Sequence, residues 1–132
     1  MVGNRAVSRL VQRYAIYRGG PNTLNNYTPR PRKEGQNDDV TGPKKGLSTF
    51  ESFAAATLRA SKAQIIETDN LGGELTAVRN GVGPQDTHVS ILPTNDGNDE
   101  KLFAWAAAKM GDKTDHAYSR AVRAARTGEQ AK

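Results

Sequence analysis

Residues 21 to 46, PNTLNNYTPRPRKEGQNDDVTGPKKG, constrain this chain more than any other stretch. They are rich in proline, glycine, asparagine and charge, and offer almost no apolar anchor. Such a segment cannot bury a core of its own, and structureless loops of this length are usually functional or disordered. The core must therefore come from short apolar segments on either side. Those are sparse, because 36% of the 132 residues are hydrophobic. A chain of this length supports one domain with a modest core. Residues 22 to 45 are expected to lack regular structure over most of their length and to lie over or beside the functional site.

The flanking segments have readable periods. Residues 3 to 12 place Val7, Leu10 and Val11 at helical spacing behind Asn4 as a possible cap. YAIY is strand-like and is closed by Gly19-Gly20-Pro21. Leu47 to Phe50 form a short strand or turn. ESFAAATLRASK reads as a helix with Phe53, Ala56, Thr57 and Ala60 on one face and Ser48 or Thr49 as its cap. AQIIETD, LTAVRN and THVSILP read as strands separated by Gly/Pro turns. The second puts Leu75 and Ala77 on one face. The third puts His88, Ser90 and Leu92 on one face, and Val89 and Ile91 on the other. NDEKLFAWAAAKMG is a helix with Leu102, Phe103, Ala106 and Met110 inward, and Trp105 belongs to the core. The last stretch is a basic helix that ends near Gly128 in a frayed tail. The sum is an α+β domain: a small, mainly antiparallel sheet with flanking helices.

Composition excludes several chemistries. With no cysteine, there are no disulfides, zinc thiolates or thiol nucleophiles. His88 and His116 are too few for a histidine-based metal site, so no metal is expected. No apolar run approaches the roughly 18 residues of a membrane span, and no membrane partner is expected. Net charge is +5, which suits an anionic partner as well as simple solubility. The loop cations Arg30, Arg32, Lys33, Lys44 and Lys45 either face phosphates or are solvated.

Three polar stretches border apolar elements: Tyr17-Arg18, Ser48-Thr49-Phe50 and His88-Val89-Ser90. If their strands are neighbours, Arg18, Ser48 and His88 converge on one pocket. Each residue also has a structural reading. A strand-end arginine makes salt bridges, serines before helices cap them, and a strand histidine packs and hydrogen-bonds. The usual phosphate-loop, metalloprotease and nucleophile-elbow motifs are absent.

Two resemblances build on these residues. GNRAVSRLVQR resembles a segment that recurs in proteins associated with bacterial contractile injection systems, upstream of variable cargo domains. This implies a leader over residues 1–13 and an effector domain over 14–132. IYRGG, GLSTFES and THVSILP, in that order, are similar to small interbacterial toxins with an ADP-ribosyltransferase-like fold, among them the compact NAD-dependent toxin delivered by type VI secretion. The likeness implies a secreted toxin that acts in the target-cell cytoplasm on NAD and an acceptor (protein or nucleic acid), with a possible cognate immunity protein. Arg18, Ser48 and His88 would be catalytic. Tyr17, Arg18, Gly19, Ser48, Thr49, Phe50 and His88 would hold the cofactor, NAD. Arg18 would meet phosphate or ribose oxygens, with Gly19 and Gly20 opening the backbone to the anion. The late-strand glutamate of many such enzymes is missing from THVSILP; Glu67, Glu74 and Asp86 are the nearby carboxylates. Two alternatives stay open. One is a metal-independent ribonuclease toxin using His88, Arg18 and a lysine such as Lys45. The other is a non-enzymatic basic binding or cargo-adaptor domain.

Overall fold

A computed structural model describes residues 14–31, 38–83, 86–94, 99–110 and 114–132. The expected leader helix, with Asn4, Val7, Leu10 and Val11, lies outside the described residues, as do Arg32 and Lys33. Six strands form one sheet: β1 (Ala15–Gly19), β2 (Leu47–Phe50), β3 (Lys62–Glu67), β4 (Leu75–Arg79), β5 (His88–Pro93) and β6 (Arg126–Ala131). Their order is β4-β5-β2-β1-β3-β6, and every pairing is antiparallel. The α+β class and antiparallel sheet agree with the sequence expectation.

Three helices flank the sheet: α1 (Phe53–Ala56), α2 (Glu100–Ala107) and α3 (Ala117–Ala124). The core lies on one sheet face. Ile16, Leu47, Ile66, Val89 and Ile91 meet Leu102, Trp105 and Val122, and each is fully buried. Each such aliphatic side chain contributes about 1.5–3 kcal/mol relative to exposure. Trp105 Nε1 donates to Ser119 Oγ at 2.9 Å, and Ser119 shares a 2.7 Å hydrogen bond with Thr28. The polar end of the tryptophan is thereby satisfied and ties α2 and α3 to the loop.

Four local expectations are corrected. Leu102, Trp105 and Ala106 face inward, which turns Phe103 outward to 45% exposure; the inward arc of an eight-residue helix centres on its largest side chain. The Met110 side chain lies outside those described. The helix after β2 is a single turn, with Thr57 Oγ1 donating back to the Phe53 carbonyl at 2.8 Å, because the chain must be extended again from Lys62, where β3 begins and Ala63 already pairs with Gly19 of β1. Its cap is Ser52, whose Oγ accepts from Ala55 N at 3.2 Å, and not Ser48 or Thr49, which lie within β2. The C-terminal helix ends at Ala124, and residues after it form the edge strand β6. Glu129 accepts from Gln64 Nε2 at 2.7 Å, and Arg126 Nε donates to Gln64 Oε1 at 2.6 Å. These contacts hold a polar segment as a strand, and Gly128 stands opposite Ile65 within it.

The polar loop is partly anchored. Leu24–Tyr27 form a 3-10 turn, and Tyr27 and Val40 are buried. Asp39 N donates to the Arg30 carbonyl at 3.0 Å, and Arg30 N donates to Asp39 Oδ2 at 2.9 Å. This reciprocal clasp closes the loop across the described stretches on its two sides.

Candidate functional site

The sheet divides at its middle. β1 and β2 share the single register pair Tyr17 with Phe50, whereas β1 and β3 pair along the whole of β1. A cavity of about 580 Å³ opens at this split. Arg18, Gly19, Ser48 and Phe50 line it from the strands, Arg30 and Asp39 from the loop, and Leu58 and Arg59 from the segment after α1. Its volume lies within the roughly 300–1,000 Å³ typical of small-molecule sites.

Arg18 is 8% exposed. Its Nε donates to the Asn26 carbonyl and its Nη1 to the Ser48 carbonyl, both at 2.7 Å. It therefore bridges the split. Its Nη2 is buried and has no hydrogen-bond partner among the described residues. Burial pulls the Arg18 guanidinium down to about 10, with Asp39 opposing that shift and Arg30 adding to it. The group stays cationic at neutral pH with one donor position unmet. Burial raises the Asp39 carboxyl from its ordinary value, against the Arg30 backbone bond and the Arg18 charge.

The glycines act differently from the expectation. Gly20 N donates to the Lys62 carbonyl at 2.9 Å, so it is not open to an anion. Gly20 has φ +111°, and a Cβ on Gly19 would lie 2.0 Å from the Ala56 carbonyl oxygen. The glycines admit protein instead: α1 closes on Gly19, and Asn26 Nδ2 donates to the Gly19 and Pro21 carbonyls at 3.1 and 2.9 Å.

The sequence candidates separate by face. Tyr17, Phe50 and His88 share one face, as do Ser48 and Ser90. Arg18 alternates to the other, opposite Gln64 and beside Ile16. Arg18 and His88 therefore lie on opposite faces, and His88 is not part of the cavity lining, so the expected three-residue pocket is not formed. Ser48 joins the two residues: its carbonyl accepts from Arg18, and its hydroxyl lies 2.8 Å from His88 Nε2. Thr49 is on the core face, fully buried, with Oγ1 donating to the Val89 carbonyl at 2.8 Å. The Tyr17 ring packs edge-on against Phe53 at 5.8 Å. Gly19, Ser48 and Phe50 remain at the cavity wall.

Lys44 pairs with Asp86 and Lys45 with Asp99; among the described loop residues, Arg30 is the cation that lines the cavity. Hydrogen bonding from Lys44, then from the Val82 and His88 backbones, holds the Asp86 carboxyl well below the usual range. Among the described residues, no cluster of three His, Asp or Glu could hold a metal ion.

Sequence reasoning did not single out Asp39, Arg59 or Asn80. Asp39 sits in an aperiodic polar loop, and Arg59 falls within the longer helix expected over ESFAAATLRASK. Asn80 falls where the expected strand LTAVRN meets a Gly/Pro turn, and it lies directly beyond β4 beside His88. No protein-family model, curated protein or solved structure matches this chain.

Proposed function

We propose that the cavity at the β1/β2 split binds NAD and that the protein cleaves the nicotinamide–ribose bond, as an ADP-ribosyltransferase or NAD-consuming toxin of ADP-ribosyltransferase-like fold. The observation that carries this reading is Arg18: a buried cation with an unmet donor, at the wall of a cavity that also holds Arg30 and Arg59. An unmet buried charged donor is costly, and a pyrophosphate oxygen would satisfy it. Three arginines and one carboxylate, Asp39, line the described cavity, so the lining favours an anion of more than one charge. Phe50 and Leu58, the latter 79% exposed, supply apolar surface for a ring.

Bond cleavage passes through an oxocarbenium-like state, as in glycoside hydrolysis. Nicotinamide leaves as a neutral ring, so no strong general acid is needed. The chain's work is to fix the phosphates, hold the ribose and exclude water. Ser48 reaches the ribose edge. Asp39, the one carboxylate of the described cavity lining, is placed to stabilise developing positive charge. The opposite-face placement of Arg18 and His88, and the engagement of Lys45 by Asp99, weigh against the ribonuclease arrangement, in which these three groups would act on a single phosphate.

We propose that the activity is exercised in the cytoplasm of a target bacterium, as the resemblance of GNRAVSRLVQR, IYRGG, GLSTFES and THVSILP implies, on an unidentified acceptor and with a possible immunity protein. The test is to incubate the purified chain with NAD and quantify free nicotinamide, for wild type and Arg18→Ala. Release by wild type and its loss in the variant is the expected result. No release and no NAD binding by wild type would refute the reading.

A further inference from the structure

Beyond the cavity, a chain of side chains runs from its wall across β5 to the loop before β2. Each link fixes the direction of the next. The Lys44 carbonyl can only accept, so Ser90 Oγ donates to it, at 3.1 Å. Asn80 Nδ2 donates to Ser90 Oγ at 2.8 Å. That orients the Asn80 amide so that Oδ1 faces His88 Nδ1, at 2.5 Å. An amide oxygen accepts, so the His88 proton sits on Nδ1. Nε2 then carries a lone pair and accepts from the Ser48 hydroxyl at 2.8 Å.

We infer that Ser48, His88 and Asn80 form a directed proton relay that activates the acceptor of the cleaved ribose, a hydroxyl or a water entering at Ser48. The proposal rests on the NAD reading above. In the step, the acceptor's O–H proton passes to Ser48 Oγ as Ser48's own proton passes to His88 Nε2. The acceptor oxygen bonds the anomeric carbon while the carbon–nitrogen bond breaks. Nicotinamide leaves with that electron pair as a neutral molecule, and the imidazolium then releases its proton to solvent. Ser48 touches the acceptor; His88 takes the proton; Asn80 is a positioning residue that selects the tautomer. This base needs no late-strand glutamate.

The surroundings keep the imidazole neutral and ready to accept. Burial lowers its pKa from the ordinary 6.5, the Lys44 cation adds to this, and Asp86 opposes it. Asp86 also accepts from His88 N at 3.0 Å. The Phe50 ring packs edge-on at 5.3 Å. The Glu51–Arg79 ion pair lies next along β2 and β4.

Nitrogen-15 NMR on the full chain tests the relay without turnover. Wild-type His88 should show the Nδ1–H tautomer, and Asn80→Ala should lose that preference. A wild-type Nε2–H tautomer would overturn the relay. Kinetics then test the base. His88→Gln, with a melt showing that it folds, should slow nicotinamide release roughly 10²–10⁴-fold, the range of a general base. Asn80→Asp should move the acid limb of the pH–rate profile upward, because a carboxylate beside Nδ1–H stabilises the imidazolium. An acid limb left in place would show that His88 is not the titrating base and would overturn the relay. Unaltered turnover in His88→Gln with NAD still bound overturns the relay alone; failure of wild type to bind NAD in calorimetry overturns the reading beneath it.

Discussion

Arg18→Ala separates the energetics of the fold from those of the site. The drop from 12.5 to about 10, at 1.36 kcal/mol per pH unit, biases the folded protein by about 3 kcal/mol against the Arg18 charge. Against this stand two short bonds to carbonyls, each worth about 1.5–3 kcal/mol for a charged donor. Removing the side chain relieves the first and forfeits the second, so the net destabilisation should be about 0–3 kcal/mol. The variant should fold, with a melting temperature lower by up to about 10–20 °C at the few degrees per kcal/mol expected for a domain of this size. Binding behaves differently. Loss of one charge-assisted phosphate contact should weaken NAD binding about 10- to 150-fold. Arg18→Lys should recover part of this, since a point charge cannot span the Asn26 and Ser48 carbonyls together. Differential scanning fluorimetry with and without NAD reads both quantities. Wild type should gain stability with ligand and the variant much less. An equal NAD-induced rise in both proteins would refute the role of Arg18.

Other outcomes follow from single contacts. Gly19→Ala should unfold or severely destabilise the domain in chemical denaturation, because its Cβ would lie 2.0 Å from the Ala56 carbonyl oxygen. Trp105→Ala should cost about 3–5 kcal/mol in the same assay, with Ser119 losing its donor. His88 and His116 both have pKa values lowered from 6.5, chiefly by burial. The unfolded chain therefore binds more protons below that pH, and stability should fall as pH drops through about 6.5; His88→Gln should flatten the slope. Expression in the bacterial cytoplasm should be toxic in an Arg18-dependent way, while Arg123→Ala, exposed on α3, should leave toxicity unchanged.

The elements with a clear period were legible in the sequence. β5 alternates as expected, with Val89 and Ile91 in the core, and all the strands read from apolar runs are present. What failed depended on distant partners. β6 carries no apolar pattern, so the Gln64, Glu129 and Arg126 contacts that define it were invisible. Tyr27 lies in a polar loop, and its 3-10 turn packs on α3, far along the chain, a contact that no local pattern announces. The site was half legible. Polar residues at the ends of apolar runs drew attention to Arg18, Ser48 and His88. Their separation by face depended on strand register, which residue type does not encode. Asp39 and Asn80 gave no local signal at all, since their roles come from geometry set by other segments.

The most direct test is an NMR titration of the isotope-labelled chain with NAD. The account predicts saturable shifts concentrated at Arg18, Gly19, Asp39, Ser48, Phe50 and Arg59, with the Arg18 side-chain resonances moving most, and little change at Trp105. Saturating NAD that leaves these residues unmoved, or shifts clustered away from the β1/β2 split, would contradict it.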